Sequence, residues 1–215
     1  MSLVLEYMPS SLDRLQPGDK TDSLIRKLMH NFLLAVDYLH KRGVCHRDIK
    51  PHNVLVDPRD GRAKLCDFGC SKRLVAGEPN IQYICARYYR APEIAFGWPH
   101  YTLAIDTWSV GCVMAELYTG RPLFPGKNSV DQLAKIVKVL GTPDAEELAA
   151  MGQDPNRFRH PARADPDAKR RGLTEALCNP DIPDDAIDLM LGLLQYNPRT
   201  RLTASQALAH PYFGH

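Results

Sequence analysis

Apolar residues recur at helical spacing early in this 215-residue chain. The pattern repeats every three or four positions, so these residues would share one face of a helix: Leu24, Ile25, Leu28, Met29, Phe32, Leu33, Val36 and Leu39. This pattern predicts an amphipathic α-helix that Asp19 or Thr21 caps and that Gly43 ends. A nearly continuous run of apolar and small residues over 105–118 predicts a second helix, which would be buried on all sides.

Three more helices are predicted by the same criteria, over 130–140, 183–195 and 203–210. The segment 142–182 is rich in proline and in charged residues, which indicates an insert with little regular structure. Residues 69–92 are polar, aromatic and irregular, and are predicted to form a long functional loop. No repeat or flexible linker divides the chain, so we expect one mostly helical unit.

Short apolar runs predict a small amount of β-structure over 3–8, 53–57 and 63–67. The last two runs flank the loop sequence P-R-D-G-R and predict a β-hairpin. A register with Asp57 opposite Ala63 gives two further opposed pairs: Leu55 with Leu65, and Asn53 with Asp67. Opposed residues lie about 4.5–5.5 Å apart at Cβ, so the two polar side chains would meet at the open end of the hairpin.

Composition argues against several classes of function. Hydrophobic residues make up 44% and charged residues 24% of the chain, as in ordinary soluble globular proteins. The net charge of +2 is too small to indicate nucleic acid or an anionic membrane as a partner. No apolar run reaches the roughly 18 residues of a membrane span, and the first residues lack the basic start of a secretion signal.

The six cysteines form no C-x-x-C pair and no repeated spacing. Scattered single cysteines are typical of reduced, mostly buried thiols, so we expect a cytoplasmic or nuclear protein. Zinc binding is the alternative, and it is disfavoured because four ligands at usable spacing are missing.

Candidate chemistry lies at residues 45–53, which read C-H-R-D-I-K-P-H-N, and in the D-F-G that follows the predicted hairpin. Asp48 can accept a hydroxyl proton, and Lys50 can stabilise the charge of a transferred phosphate. Asn53 and Asp67 supply the oxygen ligands that Mg²⁺ prefers beside substrate phosphates. Taken singly, these are ordinary turn residues. Together, and around a hairpin, they indicate phosphoryl transfer.

These motifs resemble those of eukaryotic Ser/Thr protein kinases, and A-P-E at 91–93, D-x-W-S-x-G-C at 106–112 and Arg201 extend the match. Within the group that also contains cyclin-dependent and MAP kinases, the chain resembles glycogen synthase kinase 3 most closely. The segments that carry this resemblance are Y-I-C-A-R-Y-Y-R-A-P-E, K-L-C-D-F-G and K-V-L-G-T-P. The resemblance covers residues 1–215. It implies the hinge and C-terminal lobe of a protein kinase domain, mainly α with a small β-hairpin, and with the N-terminal β lobe absent.

The resemblance implies an enzyme that uses ATP and Mg²⁺ to phosphorylate Ser and Thr in protein substrates. Asp48, Lys50 and Asn53 would be the catalytic residues. Asn53 and Asp67 would hold the metal, as in protein kinases generally. Leu5 would be the gatekeeper of the nucleotide pocket. The residues implied to contact the nucleotide are Leu5, Glu6, Met8, Leu55, Cys66 and Asp67.

Other positions are implied to regulate the enzyme or to bind its substrate. Tyr83 would be phosphorylated and then held by Arg87 and Arg90; the alternative is an unmodified loop aromatic. Arg47 and Lys72 would bind a phosphate already present on the substrate, although Arg47 also suits a purely structural role. Three residues are interpreted as scaffold, forming a buried ion pair and a carboxylate that binds loop amides: Glu93, Asp106 and Arg201.

Two features depart from the family pattern. The chain contains no G-x-G-x-x-G loop, and no V-A-I-K-like strand with its lysine precedes the hinge; without them we expect weak nucleotide binding and slow transfer. F-R-H-P-A-R at 158–163 differs from the family's F-x-F-P motif, near the surface where scaffold proteins dock. Two hypotheses follow: a Ser/Thr kinase represented by part of its chain, or a non-catalytic module that binds substrates or scaffolds.

Overall fold

Helices carry most of this fold, and the strands form two small sheets. The computed structural model describes residues 6–16, 20–81, 84–157 and 167–214. The helices are α1 Asp22–His40, α2 Pro92–Ala95, α3 Ala104–Thr119, α4 Ser129–Leu140, α5 Ala145–Ala150, α6 Ala168–Leu177, α7 Asp184–Leu193 and α8 Ala204–Leu208. The strands are β1 Ser10–Ser11, β2 Val44–Cys45, β3 Val54–Asp57, β4 Arg62–Leu65 and β5 Lys72–Arg73. The predicted fold class, mainly α with a small β-hairpin, is confirmed.

Helices α1 and α3 form the centre of the core, where their sequence patterns predicted them. The Thr21 hydroxyl accepts a hydrogen bond from the Leu24 amide at 3.3 Å, which caps the start of α1. The helix ends at His40, and the chain then turns at Gly43, whose φ of +69° suits glycine. Helix α3 is buried over most of its length and packs against α1 and α7. Asp19, the other predicted cap, lies outside the described residues.

Helices α4, α7 and α8 are also confirmed, each ending within two residues of the predicted bounds. No helix among the described residues is both long enough and apolar enough to cross a membrane.

The prediction that 142–182 has little regular structure is wrong, because α5 and α6 both lie there. Helix α5 begins with a capping box, in which the Asp144 carboxylate accepts from the Glu147 amide at 2.8 Å and the Glu147 carboxylate from the Asp144 amide at 3.0 Å. Helix α6 packs closely on α4: a Cβ added at Gly172 would lie 2.0 Å from the Val139 carbonyl oxygen. The prolines of the segment lie outside both helices, so its overall composition concealed two short helical stretches.

The predicted strand over 3–8 is wrong in its described part, because residues 6–8 form no strand; residues 1–5 lie outside the described residues. A strand requires a neighbour that satisfies its N–H and C=O groups. The described chain provides that neighbour a little later, where Ser10–Ser11 pairs antiparallel with β3. The resulting sheet has the order β1-β3-β4.

The predicted hairpin is present, but its turn has four residues, 58–61, instead of five. Gly61 has a φ of +79° and its amide donates to the Asp57 carbonyl at 2.9 Å, which closes the turn one residue early. The Asp57 carboxylate also accepts from the Arg59 amide at 3.1 Å. As a result Asp57 pairs with Arg62, and the predicted pairing with Ala63 is wrong.

This one-residue shift changes every pair in the hairpin. The observed pairs are Val54 with Leu65, Leu55 with Lys64, Val56 with Ala63 and Asp57 with Arg62. The predicted pairs of Leu55 with Leu65 and of Asn53 with Asp67 do not form, because a shift of one residue moves side chains to the other face. Instead the Cys66 amide donates to the Asn53 carbonyl at 3.0 Å. Cys66 therefore takes the place predicted for Asp67, which is the next residue along the chain.

A buried ion pair joins α2 to the segment before α8. Arg201 Nη1 and Nη2 lie 2.8 and 2.9 Å from Oε1 and Oε2 of Glu93, and both side chains are 0% exposed. Arg201 also donates to the backbone carbonyls of Gln195, Tyr196 and Ala104. These added acceptors satisfy the rest of the guanidinium, which a charge buried this deeply requires.

Replacing Arg201 should strongly destabilise the protein. We expect Arg201→Ala to lower the free energy of unfolding by about 3–5 kcal/mol, because it leaves the Glu93 carboxylate buried and unpaired. Urea unfolding followed by circular dichroism measures this loss. The matched control is Arg170→Ala, which removes a surface arginine from its pairs with the exposed Asp184 and Asp188 and should change stability little. Equal effects of the two substitutions would contradict the assigned role of the buried pair.

Candidate active site

Asp48 lies in a loop, residues 46–50, between β2 and a short 3-10 turn at Pro51–Asn53. Its half-buried carboxylate accepts from Lys50 Nζ at 2.7 Å and from Asn53 Nδ2 at 3.0 Å, both at Oδ2. The other oxygen, Oδ1, accepts from the Ala86 amide at 3.2 Å. The structure therefore brings together the three residues predicted from the sequence to be catalytic, and hydrogen bonds to both oxygens fix the orientation of the Asp48 carboxylate.

The buried carboxylate of Asp106, in α3, holds this loop in place. Its Oδ2 accepts from the His46 amide at 2.7 Å, and its Oδ1 accepts from the Arg47 amide at 2.9 Å. His40, at the end of α1, places Nε2 3.0 Å from Oδ2. Burial by itself would raise the pKa of Asp106, but the hydrogen bonds from His40 and the two amides outweigh it and hold the pKa below its ordinary value. The ionised carboxylate thereby positions the residues just before Asp48.

His46 connects this loop to the D-F-G segment. Its Nε2 lies 3.1 Å from the Cys66 carbonyl oxygen, and its ring meets the Phe68 ring edge-on with centroids 5.2 Å apart. Three non-glycine residues around the site have left-handed backbone: Arg47, Asp67 and Cys85, with φ of 67°, 61° and 62°. Such conformations cost about 1–3 kcal/mol each and are concentrated at functional sites.

Asn53 and Asp67 supply oxygen atoms suited to Mg²⁺. Asn53 Nδ2 donates to the carbonyl and the carboxylate of Asp48, so Oδ1 lies on the opposite side of the amide group, where it can bind a cation. The Asp67 carboxylate is exposed and accepts from the Gly69 amide at 3.3 Å. Among the described residues, no three His, Cys, Asp or Glu side chains are grouped to hold a metal by themselves. One carboxylate and one amide oxygen fit Mg²⁺, which takes its other ligands from phosphates and water.

Arg47 and Lys72 lie near one another, because Lys72 belongs to β5 and β5 pairs with β2, the strand just before Arg47. Arg47 is buried; its guanidinium donates to the Cys70 carbonyl and, at 3.2 Å, to the Tyr101 hydroxyl. Lys72 Nζ donates to Asn80 Oδ1 at 2.7 Å. These contacts support the structural alternative for Arg47.

Arg90 is buried and holds the backbone that follows Tyr83. Its Nε and Nη2 donate to the carbonyls of Ile84 and Cys85, each at 2.9 Å. Arg87 donates at 2.7 Å to a backbone carbonyl just before α4. Tyr83 itself lies outside the described residues.

The residues implied to contact the nucleotide are only partly described, since Leu5 lies outside the described residues. Glu6 is exposed, and its carboxylate forms an ion pair with Lys64 in β4. Burial raises the pKa of the Cys66 thiol, and the nearby charge of Asp67 adds to the effect, so this thiol is neutral at pH 7. The other implied positions are half-buried: Met8 and Leu55.

Three residues that support the site were missed at the level of sequence: His40, His46 and Tyr101. His46 carried a signal, because it directly precedes Arg47 in the C-H-R-D motif. His40 carried none, because its partner Asp106 is 66 residues away. Tyr101 links Arg47 to the Ile81 carbonyl, which only the folded chain reveals.

Comparison with known proteins agrees with this geometry. The protein kinase domain family matches residues 1–213, so the chain belongs to the protein kinase family. Protein kinase gsk3 of Schizosaccharomyces pombe (strain 972 / ATCC 24843) is 48% identical over 219 residues, which cover 99% of this chain and 55% of that relative. The chain is therefore similar to the glycogen synthase kinase 3 type of Ser/Thr kinase, as its motifs indicated. It spans about half the length of this relative.

Asp106→Asn should loosen the loop that carries Asp48. The neutral amide is a weaker acceptor than the carboxylate, so we expect the amide protons of His46 and Arg47 to exchange about tenfold faster or more. Hydrogen exchange followed by NMR measures both protons. Asp131→Asn, which alters a carboxylate bonded to an exposed loop amide, is the control and should leave them unchanged.

The same two protons should respond to acid with a defined sign. The pKa of Asp106 is lowered by folding, so protection should be complete above the unfolded value of about 3.9 and be lost as the pH falls through the lower folded value. Protection that disappears above pH ~4, or that Asp106→Asn leaves intact, would rule out this carboxylate as the anchor of the loop.

Proposed function

We propose that the protein carrying this chain is a Ser/Thr protein kinase, which transfers the γ-phosphoryl group of ATP to hydroxyl groups of protein substrates. The observation that carries this proposal is the carboxylate of Asp48, which Lys50, Asn53 and the Ala86 amide hold in one orientation. Membership of the protein kinase family and the similarity to a protein named as a kinase support it.

Asp48 serves as the base in this proposal. Its carboxylate accepts the proton of the substrate hydroxyl, which makes the hydroxyl oxygen a better nucleophile. Lys50 lies 2.7 Å from the same carboxylate and offsets negative charge that develops on the phosphoryl group. Because both side chains are already oriented, little rearrangement is needed when the substrate binds.

Asn53 and Asp67 would hold Mg²⁺; ATP would supply the phosphoryl group, and the metal would offset part of its negative charge. The backbone groups of Glu6 and Met8 would pair with the adenine edge. The side chains proposed to line the nucleotide pocket are Leu5, Leu55 and Cys66.

Tyr83 is proposed as a phosphorylation site that orders the loop before α2. Arg90 already binds the two carbonyls that follow Tyr83, so a phosphate there would find a guanidinium close by. Arg87 would be its second partner. Lys72 is proposed to bind a phosphate already present on some substrates, exchanging its bond to Asn80 for that phosphate, while Arg47 is proposed to hold the loop beside it through its bonds to the Cys70 carbonyl and the Tyr101 hydroxyl.

The partners proposed are protein substrates, some already phosphorylated, and a scaffold protein. A cytoplasmic or nuclear location is proposed as well, because all six cysteines are unpaired and reducing compartments keep thiols in that state.

Asp48→Asn tests the proposed base. In the protein that carries this chain, we expect the kcat for phosphorylation of a serine peptide to fall by about 10²–10⁴-fold, since asparagine keeps the shape but accepts no proton. Transfer of labelled phosphate from ATP provides the measurement, and a thermal unfolding curve shows that the variant is folded. Asp60→Asn, in the exposed hairpin turn, is the control and should leave kcat unchanged. Retained activity in Asp48→Asn would disprove the assignment.

Asp67→Asn tests the proposed metal site. Loss of the only carboxylate assigned to the metal should raise the Mg²⁺ concentration needed for half-maximal activity by about tenfold or more, and added Mg²⁺ should restore part of the rate. Initial rates measured across a Mg²⁺ titration at fixed ATP give this concentration. An unchanged Mg²⁺ requirement would remove Asp67 from the site.

A further inference from the structure

A cleft of about 520 Å³ lies between the end of α3, the following loop, α4 and α6. None of its lining residues belongs to the candidate active site. Its size falls within the range of about 300–1,000 Å³ that is typical of small-molecule sites. The cleft is therefore separate from the site proposed for phosphoryl transfer.

The floor of the cleft is apolar and results from close helix packing. Gly172 of α6 lies directly against the Val139 carbonyl of α4, so the two helices approach closely where both line the cleft. Leu123, Val139 and Ala176 are half-buried and line the floor. This surface can accept a compact apolar group without rearrangement of the core.

The rim of the cleft is cationic. Arg121, Lys135 and Lys138 line it, against a single carboxylate, Glu175. Within the described part of the chain, neither lysine has a carboxylate within ion-pair distance. Arg121 donates from Nη2 to the Ala176 carbonyl at 3.2 Å, which turns its guanidinium toward the cleft wall. Lys135 and Lys138 are three residues apart on α4, so they lie on one side of that helix.

We propose that this cleft binds a small organic anion, a phosphate or carboxylate attached to a compact apolar body. The two lysines and Arg121 would bind the charged group, and the floor at Leu123 and Val139 would bind the apolar body. Charge complementarity favours this occupant, because three cations face one carboxylate across a concave surface. An apolar ligand alone would leave those cations unpaired, and a free anion alone would leave the floor uncovered.

Two exposed cysteines allow the proposal to be tested in one experiment. Cys178 lines the cleft, whereas Cys70 lies next to the D-F-G segment, outside the cleft. The unmodified protein is treated with iodoacetamide in the presence of 1-naphthyl phosphate, and the alkylation of each cysteine is followed by peptide mass spectrometry. At a probe concentration of about ten times Kd, alkylation of Cys178 should slow by about tenfold, while that of Cys70 stays unchanged.

Two further probes separate the contributions of charge and apolar body. 1-Naphthol and inorganic phosphate should each protect Cys178 less than 1-naphthyl phosphate does at the same concentration. Equal protection by naphthol would show that charge is not recognised, and equal protection by phosphate would show that the floor contributes nothing. Either result, or alkylation of Cys178 that no probe slows, would overturn the proposal.

Substitution of the two rim lysines tests whether they bind the charged group of the ligand. Lys135→Ala combined with Lys138→Ala should weaken the protection by about tenfold or more, because two charge-assisted contacts are lost. The control is Lys127→Ala, which removes an exposed lysine outside the cleft and should have no effect. Protection that survives the double substitution would contradict the proposal, and the comparison of probes on the unmodified protein does not depend on how the variants fold.

Discussion

The candidate active site depends on one buried carboxylate. Asp106 accepts hydrogen bonds from the amides of His46 and Arg47, and His40 bonds to it from the end of α1. Burying this charge is costly, and only the donors around it make the ionised form favourable. Because Asp106 is part of α3, at the centre of the core, its hydrogen bonds fix the position of the loop that carries Asp48 relative to the packed core.

The same helix also organises the segment that leads into α2. Ser109, three residues after Asp106, donates to the Tyr89 carbonyl at 2.7 Å. At the first turn of α3 the Ala104 carbonyl accepts from Arg201, which is also paired with Glu93 in α2. One buried helix thus holds both the loop of the proposed base and the segment that packs beside it, and its bond to the Arg47 amide fixes one of the left-handed residues of the site.

Elements with a local sequence signal were predicted correctly, whereas features that depend on contacts between distant residues were not. Helical spacing of apolar residues placed α1 correctly, and a long, nearly continuous apolar run placed α3, because both signals are visible along the chain. The hairpin register was off by one residue, because the bond from the Gly61 amide to the Asp57 carbonyl cannot be read from composition. For the site, motif spacing identified Asp48, Lys50 and Asn53, whereas the bond between His40 and Asp106 spans 66 residues and left no local signal.

The proposed phosphoryl-transfer site is tested most directly by locating the bound metal. Mn²⁺ replaces Mg²⁺ and broadens NMR signals of nearby protons, so it reports which residues surround the bound ion. With ATP present, we expect broadening of the Asn53 side-chain amide and of the Gly69 amide, and none at the exposed turn around Asp60. Broadening confined to other acidic surfaces, with Asn53 and Gly69 unaffected, would contradict the claim that this loop and the D-F-G segment form a phosphoryl-transfer site.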